Sequence, residues 1–168
     1  LREIRHDMGG KVPMRRLLQG DVGSGKTAVA ACSTLMALEC GFNVALMAPT
    51  EILAEQHFRN FLRWLEPLGV KVEMQTGSRK TVETRGASVE NQSVARPATL
   101  VIGTHALLTG GFHIPRLGLV IIDEQHKFGV AQREALVRKG AYPHLLVMTA
   151  TPIPRTLGLT LYGDLDVS

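Results

Sequence analysis

Eight consecutive residues, Gly20-Asp21-Val22-Gly23-Ser24-Gly25-Lys26-Thr27, satisfy the spacing G-x-x-x-x-G-K-[ST] at every position. That spacing constrains the fold, because it works only as a bend between a strand and a helix. The flanks supply both. Met14 to Gln19, with Leu17 and Leu18, reads as a short strand, and Ala28 to Cys40 reads as a helix. Glycine lets the backbone wrap closely round an anion, while successive N–H groups and the helix N-terminus turn partial positive charge toward it. Lys26 adds a full charge suited to the β- and γ-phosphates, and the Thr27 hydroxyl is suited to Mg2+. The stretch therefore predicts a nucleoside triphosphate site.

The remainder alternates strand and helix patterns with short connections. Leu1 to Met8 reads as a helix with Leu1, Ile4 and Met8 on one face, stopped by Gly9-Gly10. A helix at the very first residue is what a segment cut from a longer polypeptide would show. Asn43 to Ala48 is a continuous apolar run, the pattern of a strand buried on both faces of a parallel sheet. Thr50 is placed to cap a helix from Ile52 to Leu65, whose apolar stripe is Ile52, Leu53, Phe58, Phe61, Leu62 and Leu65. Strands are predicted at Val70 to Gln75, Thr99 to Ile102, Leu117 to Ile122 and Leu145 to Met148, with a helix at Ala131 to Lys139. Between Arg79 and Ala98 the sequence turns polar and supports only a weak helix at Thr81 to Arg85. The order predicts one α/β domain over residues 1–168, a mostly parallel sheet with helices on both faces.

Composition narrows the class. In 168 residues, 45% are apolar, enough for one domain with a sizeable core, and no apolar run approaches the length of a membrane span. Leu1 to Gly10 carries charges where a signal peptide would be apolar, so a cytoplasmic protein is expected. Cys32 and Cys40 lack any metal-ligand spacing and read as free buried thiols. A net charge of +4 permits a polyanionic partner without requiring one.

Open parallel sheets bind ligands at the carboxyl ends of their strands, and the conspicuous polar motifs of this chain fall there. Asp123 and Glu124 follow Leu119-Val120-Ile121-Ile122 directly. Asp123 is suited to hold Mg2+, through water beside Thr27, and Glu124 to orient and polarise the water that attacks the γ-phosphorus. Gln125 and His126 come next, with His126 close enough to sense the γ-phosphate. Thr149, Ala150 and Thr151 follow the last predicted strand, where the hydroxyls either bond to the Asp123 to His126 turn or cap the helix begun at Pro152. Pro49-Thr50 and Gly103-Thr104 either meet a phosphodiester backbone through N–H and hydroxyl groups or are ordinary turns.

Taken together, these stretches resemble the first motor domain of superfamily 2 helicases and translocases, and within it the RecG branch-migrating DNA helicases. Gly20 to Thr27 (GDVGSGKT) is similar to motif I, Ala48 to His57 (APTEILAEQH) to motif Ia, and Gly103 to Leu107 (GTHAL) to motif Ib. Val120 to Val130 (VIIDEQHKFGV) resembles motif II, and Thr149 to Leu157 (TATPIPRTL) resembles motif III. The transcription-repair coupling factor Mfd shares TATPIPRTL, but Ser24 and Gln125 favour RecG.

The resemblance implies a RecA-like fold, ATP and Mg2+ as ligands, Lys26, Asp123 and Glu124 as the hydrolytic residues, and Gln125, His126, Thr149, Ala150 and Thr151 as coupling residues. It implies contact with DNA forks and Holliday junctions through Pro49, Thr50, Glu51, Gly103, Thr104 and His105, in a monomer without membrane attachment. The wedge domain and the second motor domain would lie outside these residues, and the segment alone would hydrolyse ATP weakly. Two other classes stay open: a nucleotide-gated DNA-binding module without useful turnover, and a phosphate-loop ATPase acting on protein or RNA.

Overall fold

The computed structural model describes residues 1–78, 98–109, 113–124, 130–150 and 166–167. Among them, strands β1 (Arg15–Gln19), β2 (Asn43–Met47), β3 (Lys71–Gln75), β4 (Thr99–Gly103), β5 (Leu117–Asp123), β6 (His144–Thr149) and β7 (Asp166–Val167) form one sheet in the order β3-β4-β2-β5-β6-β1-β7. Every pairing is parallel. All carboxyl ends therefore leave the same edge.

Helices α1 (Arg2–Met8), α2 (Lys26–Glu39), α3 (Glu51–Leu65) and α4 (Val130–Val137) cover the sheet. Alternation along the strands separates two apolar layers. Val44, Leu46, Leu119, Ile121, Leu146 and Met148 pack with Ile4, Ala30, Phe61 and Leu65 from α1, α2 and α3. Ala45, Met47, Val120, Ile122, Leu145 and Val147 face the other way, toward Leu136 of α4 and Leu107. The central strands are consequently apolar on both faces, as their uninterrupted sequences require.

Three polar side chains inside this framework tie its elements together. Arg16, only 7% exposed on β1, donates to Glu3 and Asp7 of α1 and ties that short helix to the sheet. Asn43 joins the starts of three strands: its Oδ1 accepts from Thr99 N–H at 2.7 Å and its Nδ2 donates to the Pro115 carbonyl. At the same end, Met14 N–H donates to His144 Nδ1 at 2.9 Å, and burial pushes the His144 pKa below its ordinary value, which keeps that acceptor available.

Several expectations are corrected. Leu1 is 54% exposed and sits outside α1 as its N-cap residue, so Ile4 and Met8 carry the packing. Ile52 is 72% exposed. It lies about 200° round the helix from Ala54, at 3.6 residues per turn, and Ala54, His57, Phe61 and Leu65 are the residues that face the sheet. Cys40 is exposed at the C-cap of α2 rather than buried, while Cys32 is half-buried; both are free. The helix expected at residues 81–85 lies outside the described residues.

Two outcomes follow from this packing. A Cβ on Gly103 would collide with the Gln75 carbonyl oxygen and with Leu107, and that oxygen is held by Thr104 N–H. Gly103→Ala should lower stability by about 1–3 kcal/mol, the usual cost of overpacking, read as a lower urea midpoint with an unchanged slope. Because the folded pKa of His144 is depressed, its contribution is present above the unfolded pKa and is lost as pH falls through the folded one. The thermal midpoint should drop on acidification through the histidine range, and His144→Asn should shrink that drop.

Candidate active site

The bend after β1 is built by its glycines. Gly23 and Gly25 have φ of 84° and 88°, in the left-handed region that glycine enters without penalty. Gly25 is the N-cap of α2, so the helix starts at Lys26 and its first amides point into the bend. A Cβ on Gly20 would come within 2.6 Å of Ser24 Oγ. Lys26 folds back over the bend, its Nζ donating to the carbonyls of Gly20 at 2.6 Å and Asp21 at 2.8 Å, with Ser24 Oγ at 3.5 Å. Ser24 N–H closes the turn on the Asp21 carbonyl at 3.1 Å. Val22, 91% exposed, is the tip, and Thr27 is half-buried in the first turn of α2.

Asp123 and Glu124 reach the same edge from β5. Strand β6 stands between β5 and β1, with Asp123 level with Met148 and Gln19 level with Thr149. Neighbouring strands are about 4.8 Å apart, so roughly 10 Å separates the β1 and β5 backbones. Thr149 bridges part of this gap: its carbonyl accepts from Gly20 N–H at 3.3 Å, and it is 1% exposed.

Asp123 is 9% exposed, and both its oxygens are engaged. Oδ1 accepts from Glu124 N–H at 3.0 Å, and Oδ2 lies 2.6 Å from Nε2 of His57. Glu124 itself has φ of 49°, an uncommon conformation for a residue with a Cβ. Such backbone positions cost about 1–3 kcal/mol and cluster at functional sites, because they aim a side chain where regular structure would not.

The third region lies beside this one at the carboxyl ends of β2, β4 and β3. Ala48 N–H donates to the Gly103 carbonyl at 2.8 Å, which joins the exits of β2 and β4. Thr50 caps α3, its Oγ1 accepting from Leu53 N–H at 3.3 Å. Glu51 spends its carboxylate on the β3 exit, accepting from Ser78 N–H at 3.1 Å and Ser78 Oγ at 2.6 Å. The Ser78 hydroxyl and N–H hold its pKa below the ordinary value. At Thr104 the N–H donates to the Gln75 carbonyl and the hydroxyl is buried, while the neighbouring His105 is exposed.

Of the residues picked out in the sequence, Gly20 to Thr27, Asp123, Glu124, Thr149 and half-buried Ala150 converge on one stretch of the sheet edge, and Pro49, Thr50, Glu51, Gly103, Thr104 and His105 lie beside it. Gln125, His126 and Thr151 lie outside the described residues. His57 was missed. A signal existed, since a polar residue at position 57 falls on the line Ala54, Phe61, Leu65, and a buried polar group requires a partner.

Known proteins agree with this architecture. The DEAD/DEAH box helicase family matches residues 9–159. The ATP-dependent DNA helicase RecG of Acidithiobacillus ferridurans is 60% identical over 99% of this chain and 24% of that protein. RecG of Escherichia coli K12 is 52% identical over 99% of the chain and 24% of its own length. The chain thus spans about a quarter of the length of these relatives. The solved structure of RecG bound to a three-way DNA junction superposes with a TM-score of 0.79 at 46% identity, over 99% of this chain and 22% of the other. Dbp5 of S. cerevisiae, 15% identical with a TM-score of 0.68 over 99% of this chain and 46% of its own, shares the fold. A match of this extent, on a chain with this bend and these strand-end carboxylates, makes it a member of the DEAD/DEAH box helicase family, RecG-like in sequence and in fold.

Proposed function

We propose that this chain is the first RecA-like motor domain of a RecG-type ATP-dependent DNA helicase, part of a longer polypeptide that carries a wedge domain and a second motor domain. The observation that carries this reading is the arrangement across β6: a glycine-built anion bend on β1, a carboxylate pair on β5, and Thr149 bonded to Gly20 between them. That arrangement supports the reading of a triphosphate and a hydrated cation at this edge of the sheet.

The residues suit Mg2+. Asp123 and Thr27 offer hard oxygen donors, and Mg2+ commonly takes one or two protein oxygens with the rest from phosphate and water. Among the described residues no three His, Cys, Asp or Glu side chains converge as metal ligands, and such a site needs none. Bound with ATP, the cation supplies charge neutralisation at the β- and γ-phosphates. Lys26 exchanges the Gly20 and Asp21 carbonyls for phosphate oxygens. The amides of the bend and of α2 orient the phosphates, and the Glu124 carboxylate accepts a hydrogen bond from the attacking water and aligns it with the phosphorus. Thr149, Ala150 and Thr151, with Gln125 and His126, couple the nucleotide state to the nucleic-acid edge.

That edge is formed by Pro49, Thr50 and His105, with Glu51 and Gly103 setting the loops. The partner is branched DNA, forks and Holliday junctions, a reading that rests on likeness to RecG relatives and to the one solved with a three-way junction. Relatives at 52–60% identity carrying the RecG name weigh against the coupling-factor alternative. Among the described residues no helix is long and apolar enough to cross a membrane, and the free thiols suit the reducing interior of a cell.

Within the full-length helicase, Lys26→Ala should abolish MgATP hydrolysis. Glu124→Gln should retain binding of a fluorescent ATP analogue while turnover falls at least about 100-fold, in line with loss of a general base. Normal hydrolysis by either variant would remove that residue from its role. The 168-residue chain alone should hydrolyse ATP poorly with or without forked DNA, because an arginine finger from a second motor domain contributes about 10³–10⁵ in rate. Fork-stimulated turnover at helicase-like rates by this chain would contradict the two-domain reading.

A further inference from the structure

The Asp123 carboxylate is held from outside its own strand by a residue of α3. His57 is 8% exposed, and its Nε2 lies 2.6 Å from Asp123 Oδ2. The positioning role below takes Nε2–H as the donor of this contact and Oδ2 as its acceptor. The ring is seated by Phe61, fully buried one turn on, in an edge contact with centroids 6.3 Å apart at 71°. With Oδ1 taken by Glu124 N–H, the carboxylate is fixed at both oxygens, and each keeps a lone pair for a hydrated cation.

We infer that His57 is a positioning residue: it sets the orientation of the Asp123 carboxylate toward Mg2+ and ties helix α3 to the nucleotide edge. The inference deepens the reading above and rests on Asp123 serving the cation. Hydrogen-bond partners of metal-binding side chains fix their orientation, and losing one weakens metal binding by about 10–100-fold. The link also has a direction. Thr50, the N-cap of α3 at the nucleic-acid edge, lies seven residues from His57, about 10 Å along the helix at 1.5 Å per residue. A shift of α3 along its axis therefore carries the Nε2 donor with it and moves Asp123.

The test has two arms. In the 168-residue chain without metal or nucleotide, the imidazole nitrogen resonances of His57 should report a proton on Nε2 that exchanges slowly with water, and Asp123→Ala should abolish its protection. A bare Nε2, or a signal indifferent to Asp123→Ala, would overturn the inference without any variant of His57 being made. In the full-length helicase, the Mg2+ concentration giving half-maximal hydrolysis at saturating ATP should rise about 10-fold in His57→Leu, at the low end expected for a lost orienting partner. His57→Gln, which returns an Nε2–H donor, should recover most of that shift. An unchanged Mg2+ requirement in His57→Leu, or equal shifts in Leu and Gln variants, would refute the positioning role. Lys26→Ala run alongside keeps the failures apart: a flat His57 series beside an inactive Lys26→Ala refutes this inference alone, whereas an active Lys26→Ala refutes the nucleotide site itself.

Discussion

Strand β6 governs the geometry of the whole edge. Parallel pairing of β6 with β1 on one side and β5 on the other places Gln19, Thr149 and Asp123 at neighbouring levels, so that their loops emerge together. The Gly20 N–H bond to the Thr149 carbonyl then pins the bend to that strand. A one-residue slip would reverse which side chains of β6 face each layer, exposing Leu146 and Met148 to the wrong one, so the register is enforced by the core. The edge inherits its precision from that enforcement.

Helix α3 links the two halves of the edge. Its N-terminus is fixed by Thr50 and by the Glu51 tie to Ser78, its middle by the His57 bond to Asp123, and its sheet-facing line by Ala54, Phe61 and Leu65. With its oxygens committed to Ser78, Glu51 shapes the β3 exit. Nearby Thr104, with its N–H spent on Gln75 and its hydroxyl buried, likewise shapes its loop.

Much of the fold was legible because its determinants are local. The apolar runs at Asn43 to Ala48 and Leu117 to Ile122 announce strands covered on both faces, and the bend at Gly20 to Thr27 requires its flanking strand and helix whatever surrounds it. Thr50 caps its helix from three residues away. Errors arose where orientation about an axis mattered. Ile52 is apolar yet points outward, and Leu1 falls one residue before the helix it was expected to join. Each belongs to an apolar pattern within its segment, and neither segment contains what it packs against.

From the sequence alone came the α/β class, the glycine-rich bend with Lys26 and Thr27, the carboxylates at 123 and 124, and the order in which these elements follow one another, because each depends on residues a few positions apart. Tertiary structure decided the rest: that β6 separates the bend from the carboxylates, that Glu124 adopts a left-handed backbone, and that His57 meets Asp123 across 66 positions of chain. Contacts of that separation depend on which strands become neighbours and which face of a helix turns inward. Both are settled by burying all the apolar surface at once, a condition that no single stretch of sequence contains.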